Sequence, residues 1–135
     1  MKPADIAHIA ADHGLTLILQ FGSSVRGKLH DRSDVDIAVQ YAGKPGGLHE
    51  RAALIADLQE LFPDNPVDLL ILNHADPLVL KKVTEACRLL YGDHQRFQNF
   101  KILAYKRFQD HRRYLAMERD YVRRTLQEVF SDDRS

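Results

Sequence analysis

The spacing of apolar positions changes several times along the chain, and each change marks an element. Ile6, Ala7, Ile9 and Ala10 recur at helical spacing, which predicts a helix over 3–13 that stops at Gly14. Leu15 to Phe21 (LTLILQF) is an almost unbroken apolar run and reads as a buried strand. Ser23 to His30 predicts a short helix starting at the Gly22-Ser23 turn, and Asp34 to Tyr41 (DVDIAVQY) a second strand. Gly43 to Gly47 (GKPGG) is a loop or flap. Leu48 to Phe62 places Leu48, Ala52, Ile55, Leu58 and Leu61 on one face of an amphipathic helix. Pro63 and Pro66 bracket a turn before a third strand, Val67 to Asn73, which is apolar on both faces apart from Asp68. Asp76 can cap a helix with Pro77 at its first position, running through Ala86. Arg88 to Tyr91 reads as a short edge strand ending at Gly92.

From His94 to Phe130 a stripe of Phe97, Phe100, Ala104, Phe108, Leu115, Val122 and Leu126 predicts a long helix or a helix pair, interrupted at His111. Phe97, Phe100 and Phe108 are expected in the core or at a partner interface, and Tyr105, Tyr114 and Tyr121 are expected to serve packing. The element order implies an α/β (α+β) fold, a sheet with helices and a helical extension. Residues 1–93 form the core, 94–130 a helical extension of the same domain and 131–135 a frayed tail.

Composition narrows the class. A chain of 135 residues, 44% hydrophobic and 28% charged, fits one globular domain with its own core. No run of 18 apolar residues is present, so no membrane span is expected, and the start lacks the apolar segment of a signal peptide. A cytoplasmic setting fits. Cys87 is the only cysteine, so no internal disulfide can form, and its apolar surroundings predict a buried, inert thiol. The histidines lack zinc-ligand spacing. Charge is unevenly spread. Residues 1–93 hold nine Lys/Arg against thirteen Asp/Glu, and residues 94–130 hold nine against four. The extension is thus basic on an acidic body: either a solvated helix face or a surface for a polyanion or an acidic partner.

The candidate chemistry lies between the first two strands. Side chains two apart on a strand project to the same face, so Asp34 and Asp36 point together. Like charges about 4–6 Å apart repel by roughly 3–4 kcal/mol at an effective dielectric near 20. Such a pair takes up a proton or a cation. An all-oxygen site suits Mg²⁺, which combines one or two carboxylates with phosphate oxygens. Ahead of it, Gly22 to Lys28 (GSSVRGK) matches the P-loop pattern. Leu29 stands where that motif needs Ser or Thr, however, and too few residues remain before Asp34 for its helix. The turn reads instead as a phosphate cradle. Gly22 lets backbone approach a triphosphate, and Ser23 and Ser24 can donate to phosphate oxygens. Arg26 and Arg32 lie in the connection as surface residues or phosphate contacts. Asp68, costly in an apolar strand unless paired or metal-bound, is a third candidate ligand if strands two and three are neighbours.

The segment FGSSVRGKLHDRSDVDIAV resembles the signature of the DNA-polymerase-β-like nucleotidyltransferases, and its RG…RSDVDI wording resembles their minimal (MNT) group. The resemblance implies a small mixed sheet flanked by helices and transfer of a nucleotide from an NTP to a hydroxyl. It implies that Gly22 and Ser23 bind the triphosphate and that Asp34 and Asp36 hold both of two Mg²⁺ ions. Asp68 would complete the site and help to activate the attacking hydroxyl. Such proteins are often antitoxins that use ATP to place AMP on a tyrosine of a HEPN ribonuclease toxin. Two alternatives stay open: neutralisation by binding alone, and transfer to a small-molecule hydroxyl such as that of an aminoglycoside. No membrane contact or direct nucleic-acid binding is required, and homo- or hetero-oligomers are open.

Overall fold

The computed structural model describes residues 2–26 and 34–132. Within them run α1 (Pro3–His13), β1 (Leu15–Phe21), a 3-10 segment (Gly22–Arg26), β2 (Val35–Tyr41) and α2 (Leu48–Leu61). They are followed by β3 (Val67–Ile71), a second 3-10 turn (Leu72–His74), α3 (Pro77–Glu85), β4 (Cys87–Tyr91) and α4 (His94–Asp132). The four strands form one sheet in the order β3-β2-β1-β4. β1 pairs antiparallel with β2 and β4, while β2 pairs parallel with β3, so the sheet is mixed.

Strand alternation divides the apolar residues between two cores. On one face Ile18, Val35, Ile37, Val39 and Tyr41 pack against Ile6, Ile9 and Ala10 of α1 and Leu54 and Leu58 of α2. On the other, Leu17, Leu19 and Ala38 pack against Leu80 and Val83 of α3 and Phe97, Phe100 and Ala104 of α4. Both faces of β1 and β2 are therefore buried, which explains why β1 lacks polar alternation.

Side chains finish what backbone pairing begins. Gly14, at φ 68°, ends α1 in the left-handed conformation and donates its N–H to the Ala10 carbonyl. His13 Nε2 lies 2.6 Å from Asp57 Oδ2 and joins α1 to α2. Asp76 caps α3 by accepting from the N–H groups of Leu78 and Val79. Asn73 accepts from Tyr41 N–H at 2.9 Å and donates to Tyr41 carbonyl at 3.0 Å, acting as a substitute strand partner.

The structure departs from the sequence reading in several places. β3 ends at Ile71, because residues 72–74 turn into the 3-10 segment that carries Asn73 to Tyr41. On α2 the buried residues are Leu54 and Leu58, whereas Leu48 is 82% exposed and Ala52 faces solvent. An alanine has too little surface to orient a helix, and the core takes up Leu54 and Leu58 instead. α4 is one continuous helix without a break at His111, and it takes in Ser131 and Asp132 of the expected tail. Tyr105, Tyr114 and Tyr121 do not pack but stand open to solvent. Cys87 is half-buried and burial pushes its thiol pKa up, which keeps it protonated. The helix expected over Ser23 to His30 is a 3-10 segment as far as Arg26; its remainder, with His30 and Arg32, lies outside the described residues, as does 133–135.

Candidate active site

Three chain segments meet at one end of the sheet. β1 runs antiparallel to β2, so its last residue, Phe21, pairs with Asp36 near the start of β2. β2 runs parallel to β3, and Asp36 pairs in register with Asp68. In-register residues of neighbouring strands share a face, so these two carboxylates project side by side toward α3. Asp34 immediately precedes β2, two residues before Asp36, and is exposed. The predicted third carboxylate is therefore placed by backbone pairing, on an edge strand next to the Asp34–Asp36 strand.

Gly22 completes the site from above. Its φ of +78° lies in the left-handed region, and a Cβ at this position would fall 2.5 Å from Asp36 Oδ2. The left-handed backbone favours glycine, and a Cβ would make the Asp36 carboxylate turn aside. The turn is anchored from below, since Gly22 N–H donates to the Ala86 carbonyl at 3.0 Å. Ser23 is exposed on the first turn of the 3-10 segment. Ser24 is turned inward and buried. Its Oγ accepts from Gln20 Nε2 at 3.0 Å and donates to the Phe21 carbonyl, and Arg88 in turn donates to Gln20 Oε1. Ser24 thus ties the turn to β1 and β4, while Ser23 is the hydroxyl open to a ligand. Arg26 is exposed at the end of the segment.

The electrostatics follow from the crowding. Burial raises the Asp36 pKa above its usual value, and the charges of Asp68 and then Asp34 raise it further. Lys82 on α3 acts in the opposite direction. The donor set fits Mg²⁺: carboxylate oxygens only, with one proton affinity raised by two like charges that a cation would neutralise. Among the described residues no three such side chains close into a ready-made metal cage. The site is built by strand register rather than by side-chain closure.

Two contributors escaped the sequence reading. Lys82 sits in an ordinary polar helix position with no motif around it. Gln59 on α2 donates to the Phe62 and Asn65 carbonyls and accepts from Val67 N–H at 3.0 Å. Together with the 2.8 Å bond from Val35 N–H to the Pro66 carbonyl, it fixes where β3 begins and hence where Asp68 stands. A single glutamine in a polar helix face carries no sequence signal for such a task.

Comparison with known proteins identifies the family of this fold. Residues 4–96 match the family described as polymerase beta, nucleotidyltransferase. No curated protein sequence matches. A solved toxin–antitoxin structure with AMP-PNP is similar at a TM-score of 0.71 and 27% identity, over 94% of this chain and 99% of that one. A rebuilt structure of tri-AMPylated Shewanella oneidensis HEPN toxin in complex with MNT antitoxin is similar at 0.64 and 25%, over 93% and 95%. The toxin–antitoxin MntA–HepT shares the fold at 0.63 and 24%, over 93% and 96%. The matched family spans the sheet, the glycine turn and all three aspartates, and the chain belongs to the polymerase-beta nucleotidyltransferase family.

Proposed function

We propose that this protein transfers AMP from ATP to a hydroxyl, a tyrosine in the first instance, of a cognate HEPN toxin and so neutralises it. The observation that carries the reading is the in-register Asp36–Asp68 pair beneath the Gly22–Ser23 turn. Its support comes from similar structures that hold AMP-PNP or an AMPylated HEPN toxin.

In this reading the Gly22 backbone and the Ser23 hydroxyl bind the triphosphate, and Arg26 and Arg32 add charge. Lys82, near Asp36, offsets phosphate charge from the α3 side. Asp34, Asp36 and Asp68 are the residues that would hold Mg²⁺. When bound, Mg²⁺ supplies Lewis-acid polarisation of the phosphoryl group and of the attacking oxygen. Asp68 lies exposed on the outer strand and, in this reading, takes the hydroxyl proton. The hydroxyl oxygen forms a bond to the α-phosphorus as the bond from α-phosphorus to the bridging oxygen breaks, and pyrophosphate leaves. Binding the acceptor and the triphosphate on opposite sides of Asp36 favours in-line displacement.

Neutralisation by contact alone makes a different forecast. The Asp34→Ala/Asp36→Ala variant, produced with the toxin in growing cells, should fail to protect them if transfer is required. Full protection by that variant, at normal protein level, would replace catalysis with binding.

A further inference from the structure

α4 contains 39 residues and spans about 58 Å. Only its first third is built into the body. Phe97, Phe100 and Ala104 are buried, and Phe108 lies under the Lys81 ammonium at 4.3 Å. Every residue from 112 to 131 is exposed. The apolar stripe nevertheless continues. Leu115, Val122 and Val129 recur every seven residues with Leu126 beside them, and they are 40%, 48%, 52% and 51% exposed respectively. A stripe that is core in one half of a helix and open in the other marks a face awaiting a partner.

The polar border identifies the partner's chemistry. Arg112, Arg119 and Arg123 line one side of the seam at helical spacing. In the seven-residue frame of Leu115, Val122 and Val129, the adjoining seam line is Arg112, Arg119 and Leu126. Two copies paired in parallel would set Arg112 against Arg112 and Arg119 against Arg119. Paired antiparallel, they would press these arginines onto apolar residues. In either arrangement the carboxylate bordering the seam is Glu118, one acid against the three arginines of the same helix, so a second copy leaves most of the arginines without the carboxylates they need when desolvated. A nucleic acid would satisfy the arginines but leave the Leu/Val seam uncovered. We infer that residues 112–130 of α4 dock an acidic amphipathic helix of a partner protein. Its apolar stripe covers Leu115, Val122, Leu126 and Val129, and its carboxylates pair with Arg112, Arg119 and Arg123. The inference rests on the proposed function in taking that partner to be the HEPN toxin.

The test measures equilibrium binding of the full-length chain, in an Asp36→Asn background that blocks transfer, to the purified HEPN toxin. Val122→Asp/Leu126→Asp should weaken binding at least about 100-fold, with helix content and melting temperature unchanged. Arg119→Glu/Arg123→Glu should weaken it as well, and added salt should weaken the parent more than this variant. Unchanged toxin binding by both pairs, while the wild-type chain still transfers AMP to the toxin, would overturn the docking face and leave the enzymatic reading standing. A wild-type chain that neither binds nor modifies the toxin would overturn both. A dimer of the parent chain that Val122→Asp/Leu126→Asp abolishes would assign the face to a second copy and overturn the inference. Tight binding of a single-stranded RNA probe that Arg119→Glu/Arg123→Glu removes would overturn it also.

Discussion

At the scale of single residues the site is a compromise between order and repulsion. Gly22 combines a left-handed φ with a close approach to the Asp36 carboxylate. Gly22→Ala should cost about 1–2 kcal/mol in backbone strain. It should also lower transfer activity at least about 10-fold by displacing Asp36, while a melting curve shows the fold retained. Asp36 has its pKa raised by burial, then by Asp68 and Asp34. A carboxylate with a raised folded-state pKa adds stability at low pH and loses that contribution as pH rises through the folded value. Ionisation of Asp36 therefore weighs against the metal-free fold. Asp36→Asn should raise the melting temperature of the metal-free protein at pH 7 by about 1–4 °C, and the gain should shrink on acidification. A lower melting temperature in Asp36→Asn at pH 7 would contradict this electrostatic picture. Asp34, Asp36, Asp68 and Gly22 were legible in the sequence because strand parity and the need for a tight turn leave a pattern. The inward hydroxyl of Ser24 and the reach of Lys82 were not, since both depend on which way a side chain turns in three dimensions.

At the scale of elements, the four strands and four α-helices of the described residues were visible in the sequence, whereas the two 3-10 segments were not, and the other errors fell at ends and faces. β3 stops two residues early because Asn73 is drawn out of the strand to Tyr41. α2 buries Leu54 and Leu58 rather than Leu48, because the sheet, not the helix's own pattern, selects the face. This makes Leu54→Ala a clear test of α2 packing. A fully buried leucine lost from a close-packed core costs about 2–5 kcal/mol, or a fall of roughly 10 °C in melting temperature. Leu48→Ala should shift it by no more than about 1–2 °C, and equal losses at the two positions would contradict the observed face. The expectation that Tyr105, Tyr114 and Tyr121 serve packing failed for the opposite reason. A single chain's pattern shows that a helix is amphipathic but not whether its own body or another molecule covers it.

At the scale of the whole molecule, two cores hold one mixed sheet from opposite sides, and the candidate site lies at the end of the sheet where β1 finishes and β2 and β3 begin. The cores give the carboxylates a fixed floor, and α4 carries the basic excess of the sequence away from the acidic body. If the three aspartates and the glycine turn form one site, Mg-ATP must stabilise the fold by mass action. At one hundred times its dissociation constant it should add about 2.7 kcal/mol and raise the melting temperature by about 8 °C. Asp34→Asn/Asp36→Asn should abolish that shift, and an equal shift in that variant would place nucleotide binding elsewhere. The intact mass of the HEPN toxin after incubation with this protein and Mg-ATP reads the transfer itself. The toxin should gain the mass of one or more AMP groups with the wild-type chain and none with Asp36→Asn. No gain with the wild-type chain, or an undiminished gain with Asp36→Asn, would contradict the assignment of AMP transfer to this site.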